Sequence, residues 1–220
     1  MYIAMAMSTD PVCLHPEMTL LQARDLAAGK SIRHFPVTDA AGRLVGMVSD
    51  RDLRSALPST VLNPTVRVDQ LERLARVRVD AIMSRPPIAL PREATLDDAL
   101  LLFDRHRIGA LGVVDHDGLL LGVITVRDVL AAFRRLFGIG APGSSLIEVR
   151  DDGRPQLLTR IVRALEEAGT TCTRLVRKED GDGAVVYARV LTYNLHGVRE
   201  VLRAAGLETV SRKPGEGAAP

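Results

Sequence analysis

Two short segments hold residues that could do chemistry together: Ser49-Asp50-Arg51-Asp52 and Thr125-Val126-Arg127-Asp128. Each sets a hydroxyl three residues before a carboxylate, with an arginine beside the carboxylate. An ionised carboxylate only accepts hydrogen bonds, and a guanidinium donates in a fork that fits phosphate oxygens. The same hydroxyl-x-x-carboxylate spacing at a strand-to-helix junction is also a capping box, in which two orphan amides are satisfied reciprocally. Spacing leaves both readings open, because duplication copies a cap as faithfully as a ligand site.

Other chemistries lack their patterns. The histidines (His15, His34, His106, His116, His196) show neither H-x-x-x-H nor H-E-x-x-H spacing, so no metal site is expected. Cys13 and Cys172 lie far apart without a C-x-x-C, which reads as free thiols. There is no Walker loop, no G-x-G-x-x-G and no nucleophile elbow with a Ser-His-Asp set. No catalytic residue is assigned, and the chain is not expected to be an enzyme.

Behind these segments stands an ordinary globular composition. Of 220 residues, 46% are hydrophobic and 25% charged, and the net charge is +2. Such a balance gives no field that favours nucleic acid or an anionic membrane. Met1 to Met7 lacks a basic n-region and a long apolar stretch. No apolar run approaches the roughly 20 residues needed to span a bilayer. The expectation is a cytoplasmic protein with neither nucleic-acid nor membrane partners.

An internal repeat positions both segments. Sliding the chain so that Met7-Ser8 falls on Met83-Ser84 also pairs Leu14, Glu17, Thr19, Leu20 and Ala23 with Leu90, Glu93, Thr95, Leu96 and Ala99. Without a gap it then pairs Ile32, Val37, Asp39, Gly42, Leu44 and Gly46 with Ile108, Val113, Asp115, Gly118, Leu120 and Gly122. Arg51-Asp52 falls on Arg127-Asp128. Each copy reads as strand, helix, strand, strand, helix. Thr19 with Gln22, and Thr95 with Asp98, predict capped helix starts. Phe35–Thr38 and Leu44–Val48 predict a hairpin across an Asp-and-Gly turn, as do Leu111–Val114 and Leu120–Ile124. The last helix of each copy starts at Ser49 or Thr125.

Beyond a Gly-rich stretch from Gly138 to Ser144, the order becomes βαββαβ, a ferredoxin-like unit. Leu146–Val149 is its first strand. Pro155 sits in the first turn of a helix bearing Leu157, Leu158, Ile161, Val162 and Leu165. A hairpin joins Thr171–Arg177 to Val185–Leu191 through Asp180-Gly181-Asp182-Gly183. Asn194 caps a helix that Gly206 ends, before a short strand from Leu207 to Val210.

The two copies, ending in Gly46-Met47-Val48-Ser49-Asp50-Arg51-Asp52-Leu53 and Gly122-Val123-Ile124-Thr125-Val126-Arg127-Asp128-Val129, resemble a CBS-domain pair, the Bateman module. Glycine, apolar residues, then Ser/Thr-x-x-Asp resembles that family's adenosine-binding signature. The third segment, around Asp152-Gly153-Arg154-Pro155-Gln156-Leu157, is similar to an ACT domain, although that family usually has glycine where Gln156 stands. A CBS pair followed by an ACT-like domain resembles the bacterial acetoin-utilisation accessory proteins. The implied fold class is α+β: tandem CBS (βαββα) repeats plus a C-terminal ferredoxin-like βαββαβ domain. The domains are repeat 1 at 1–57, a connection at 58–79, repeat 2 at 80–136, a linker at 137–144, the ACT-like domain at 145–211 and a disordered tail at 212–220.

The resemblance implies a regulatory protein that binds an adenine nucleotide or adenosyl derivative between the repeats. AMP, ADP, ATP and S-adenosylmethionine are the regulatory ligands implied, with no required cofactor. Each Asp would accept two hydrogen bonds from a ribose diol, with helix amides and the arginine facing phosphate. The ligand-binding residues it implies are Ser49, Arg51, Asp52, Thr125, Arg127 and Asp128, with His34, Phe35, Pro36, Val12, Ile88 and Leu111. Phe35-Pro36 lies where adenine would pack, whereas the second copy has Leu111-Gly112. Because Asp50 adds negative charge beside Arg51, the Thr125–Asp128 site is expected to accept phosphate better. A homodimer and an unidentified regulated partner are also implied. The alternative is an assembly module whose sites bind nothing.

Overall fold

Among the described residues, each α-helix of the repeat begins where a side chain can satisfy its first amides. Helix α1 (Leu20–Ala27) and helix α3 (Leu96–His106) each start from a threonine in extended conformation. The Thr19 hydroxyl accepts from the Gln22 amide at 3.2 Å, and the Thr95 hydroxyl accepts from the Asp98 amide at 3.2 Å. Gln22 and Asp98 close both boxes by accepting from the threonine amides. The computed structural model describes residues 1–56, 75–180 and 183–210. Most of the expected inter-repeat connection, the turn residues Gly181 and Asp182, and the expected tail lie outside the described residues. The chain divides into two compact units, Met1–Ala132 and Phe133–Pro220.

In the first unit each copy builds its hairpin as expected. Strands β1 (His34–Thr38) and β2 (Leu44–Ser49) pair antiparallel, as do β4 (Ala110–Val114) and β5 (Leu120–Thr125). Asp39 Oδ1 accepts from the amides of Ala41 and Arg43, and Asp115 Oδ1 accepts from those of Asp117 and Leu119. Gly42 and Gly118 follow at φ 80° and 81°, the left-handed region that favours glycine. The leading strand is fully formed only in the second copy, where β3 (Ala89–Pro91) runs parallel to β4. Its first-copy counterpart is a single bridge between Leu14 and Val37. Helices α2 (Asp50–Ala56) and α4 (Val126–Leu136) follow the hairpins.

The lead-in segments are exchanged between copies. Residues 1–8 pair with the second copy: the Ile3 amide donates to Ala94 O and Ser8 exchanges both hydrogen bonds with Val123. Residues 77–84 pair with the first copy, where the Val79 amide donates to Met18 O and Ser84 exchanges both with Met47. Val79 and Met83 accordingly join the first copy's core with Leu14, Leu20, Phe35, Val37 and Val48. Each fully buried side chain of this size contributes roughly 1.5–3 kcal/mol of burial energy. The repeated glycines exist for this crossing. A Cβ on Gly46 would stand 2.5 Å from Met83 Sδ, and one on Gly122 would stand 2.5 Å from the Ser8 carbonyl oxygen.

The second unit runs β6 (Ser144–Arg150), α5 (Leu157–Glu167), β7 (Thr171–Asp180), β8 (Gly183–Leu191), α6 (Leu195–Ala204) and β9 (Thr209–Val210). Its sheet order is β7-β8-β6-β9 with each neighbouring pair antiparallel, the arrangement of a split βαββαβ unit. Ile161, Leu165, Val198 and Leu202 from the helices pack on Ile147, Val149, Val186, Ala188 and Val190. The Asn194 side chain accepts from the Gly197 amide at 2.9 Å, as its cap position requires. One expectation needs correction: Pro155 lies before the helix rather than in its first turn. The N-cap is Gln156, at φ 59° and ψ 30°, and this left-handed backbone turns the chain into α5 one residue later.

Candidate functional site

The strand-to-helix corner of each copy is a complete capping box. The Ser49 amide and hydroxyl donate to Asp52 Oδ2 at 2.8 and 2.7 Å, and the Asp52 amide donates back to Ser49 Oγ at 3.2 Å. The Thr125 amide and hydroxyl donate to Asp128 Oδ2 at 2.9 and 2.6 Å, and the Asp128 amide returns at 3.3 Å. Both hydrogen bonds at each corner end on Oδ2. Among the described residues nothing donates to Oδ1 of either aspartate. The cap therefore uses half of each carboxylate and leaves the other half able to accept.

A cavity of about 690 Å³ opens beside the first corner, within the size range of small-molecule sites. The first copy contributes Arg33, His34, Met47 and the run Ser49 to Asp52 with Arg54. Chain exchange delivers Ser84, Pro86, Pro87 and Ile88, and the second copy adds Arg107, Ile108, Gly109 and Ala110. Of the residues implied by resemblance, Ser49, Arg51, Asp52, His34 and Ile88 meet in this one cavity. Thr125, Arg127 and Asp128 form the matching corner elsewhere. Phe35 and Leu111 are 1% and 0% exposed, facing core rather than cavity. Pro36 is also buried in β1, and Val12 packs against the first copy's core.

The cavity's lining holds four arginines, a histidine and two carboxylates beside its apolar residues. Burial pushes the His34 imidazole below its ordinary 6.5, opposed by the charge of Asp52 and reinforced by that of Arg33. A Cβ on Gly109 would lie 2.9 Å from the His34 ring, so glycine there lets the imidazole sit against the opposite copy. Arg54 pairs with Asp50 at 2.6 Å. Arg33, Arg51 and Arg107 form no ion pair with a described residue. Arg33, Arg107 and Gly109 carry no motif spacing. Their only sequence signal is that the copies differ there, with Gly109, Ser31 and Arg33 at the matching places.

Elsewhere the titratable groups offer less. Burial pushes the Cys13 and Cys172 thiols up, which keeps these free cysteines protonated. Asp115, His116 and Asp117 bring ligand atoms within 4.8 Å, but they form the hairpin turn that Asp115 Oδ1 already holds. No helix of the described residues is long and apolar enough to cross a membrane.

Known proteins resemble this arrangement. The CBS domain profile matches residues 3–59 and 79–135. An inosine-5'-monophosphate dehydrogenase of Mycobacterium leprae is 37% identical over 123 residues, which is 56% of this chain but 20% of that enzyme's length. A CBS domain-containing protein of Dictyostelium discoideum is 34% identical over 124 residues, 56% of this chain and 85% of that protein. Among solved structures, CBSX2 in complex with AMP is 28% identical with a TM-score of 0.51, covering 61% of this chain and 97% of that one. A Vibrio cholerae protein assigned to acetoin utilization (AcuB) is 26% identical with a TM-score of 0.51, covering 63% of this chain and 94% of that one.

Proposed function

The chain belongs to the CBS domain family, with two copies in tandem, and from that premise we propose that it is a regulatory protein sensing an adenine nucleotide or adenosyl derivative. The observation that carries this reading is the 690 Å³ cavity onto which Asp52 opens with one carboxylate oxygen unused by its cap. A ribose diol donating to that oxygen, with the base among Ile88, Pro87, Ile108 and Ala110, uses the cavity's carboxylate and its apolar lining. The AMP bound by the similar CBSX2 is of this class. The Thr125–Asp128 corner is the second, related site of the same reading.

Binding regulates only as far as the ligand prefers one arrangement of the protein over another. The βαββαβ unit, read as ACT-like, is the relay to a partner or a second copy, in a role like that of the acetoin-utilisation accessory proteins. Leu101 and Leu130 lie on helices α3 and α4 at 65% and 61% exposure, which favours a homodimer through these helices. The competing reading, an assembly module without ligand, draws on the same leucines and on the completeness of both caps.

Thermal unfolding of the protein with adenosine, AMP, ADP, ATP and S-adenosylmethionine separates the two. A ligand at 100 times its Kd stabilises by about 2.7 kcal/mol, a shift of a few degrees. The shift should shrink in Asp52→Ala and less so in Asp52→Asn, which keeps a capping acceptor, and what remains should be lost with Asp128→Ala. No shift with any of these ligands leaves the assembly module as the function.

A further inference from the structure

Resting on that reading, we infer that the two corners select different ligands, and that the Ser49–Asp52 cavity is the one built for a nucleoside di- or triphosphate. Four arginines line it (Arg33, Arg51, Arg54 and Arg107) against two carboxylates, Asp50 and Asp52. Arg54 and Asp50 neutralise each other at 2.6 Å, so the charge of Asp50 beside Arg51 is not a barrier to phosphate. The expectation that Asp50 weakens phosphate binding here is thereby reversed. Asp52 belongs to the ribose, and Arg33, Arg51 and Arg107 are left to face an anion. One phosphate needs one such group; three fit a chain of phosphates, because each guanidinium forms paired charge-assisted hydrogen bonds with separate oxygens.

The repeat supplies its own control. In the other copy the residues matching Arg33, Arg54 and Arg107 are Gly109, Leu130 and Ser31, while Arg127 matches Arg51 and Arg33 matches the cavity's own Gly109, so the repeat gives the Thr125–Asp128 corner two arginines against four. The cap is the same on both sides, so the difference lies in the residues around it. Arg107 also ends helix α3 at φ 52° and ψ 41°, a left-handed backbone unusual for a side chain of this size. The first copy reaches that region at Gly29, φ 71°.

The test is isothermal titration of the full chain in magnesium-free buffer with adenosine, AMP, ADP, ATP and inorganic tripolyphosphate. The wild type should bind ATP about tenfold or more tightly than AMP, with tripolyphosphate competing against ATP. The double variant Arg33→Gly, Arg107→Ser installs the other copy's residues. It should lower ATP affinity about ten- to a hundredfold while adenosine affinity stays unchanged, which also reports an intact cavity. Arg163→Ala, at an exposed position of the second unit, should leave the ATP preference in place. Equal affinities for AMP and ATP, or a double variant that loses adenosine and ATP alike, overturn this inference alone. Absence of binding by adenosine and every nucleotide overturns the underlying reading as well.

Discussion

The corners at Ser49–Asp52 and Thr125–Asp128 are superimposable in their hydrogen bonds and unlike in their surroundings. Both aspartates hold the same amide and hydroxyl at distances that agree within 0.1 Å, from 2.6 to 2.9 Å. The cavity at the first is lined by Arg54 and Arg107, whose matches in the other copy are Leu130 and Ser31, and by Arg33 and His34 together with their own matches Gly109 and Ala110. Duplication kept the cap that the backbone needs at both corners. What differs between the copies lies in the residues around that cap.

The largest test of this contrast concerns the repeated glycines, which are alike in sequence but not in what they meet. Gly122→Ala forces a methyl against the Ser8 backbone oxygen, whereas Gly46→Ala meets the side chain of Met83, which can shift. Overpacking costs about 1–3 kcal/mol, so Gly122→Ala should lie at the upper end and Gly46→Ala at the lower. Urea unfolding of the two variants checks this, and equal losses would mean that the lead-ins are held alike.

Next come the aspartates. Asp52→Ala and Asp128→Ala should cost stability equally, about 1 kcal/mol each for a lost cap. They should differ in ligand affinity, with Asp52→Ala losing about ten- to a hundredfold for ATP and Asp128→Ala sparing it. Titration beside denaturant melts separates the two effects. Equal losses of ATP affinity would break the asymmetry between the corners.

A smaller effect is expected at the end of α3. Arg107→Gly removes a side chain from left-handed backbone and should raise stability by about 0.5–1 kcal/mol while weakening ATP binding. A stabilised variant with full ATP affinity would show that Arg107 is not part of the site. The opposite result, destabilisation, would show the guanidinium holding the fold.

The smallest is a pH slope. The folded state keeps His34 neutral to a lower pH than the unfolded chain does. Below about 6.5 the unfolded state therefore binds more protons, and stability falls as pH falls through that window. His34→Gln should flatten the slope, and Asp52→Asn should steepen it, because the carboxylate is what supports the imidazolium. Ala110, the counterpart of His34, contributes no such term, so the slope belongs to one corner. Denaturant midpoints between pH 7.5 and 5.5 measure it.

Much of this was readable in the chain because the signals are local. A threonine with an acceptor three residues on makes a capped helix start wherever it stands, and Asp39 and Asp115 make their turns with their own neighbours. Asn194 and its helix followed the same logic. The limits show at particular residues. Pro155 suits a first helical turn by its fixed φ, yet the chain enters α5 through Gln156 in a left-handed conformation. That conformation favours glycine, yet here the side chain of glutamine is carried through it. Phe35, apolar and next to Pro36, suited an adenine; it fills the core instead, since β1 turns it inward with Val37.

By itself the sequence determined the repeat, the hairpins, the capped corners and the identity of the two aspartates, because each depends on residues within a few positions of one another. Tertiary structure alone decided where a cavity opens. That cavity joins Arg33 to Arg107 and Asp52 to Ile88 only because each copy lends its lead-in to the other, bringing Ser84 to Met47 and Ser8 to Val123. No local pattern encodes such an exchange. It is set by which apolar surfaces bury best against each other, a property of the whole first unit.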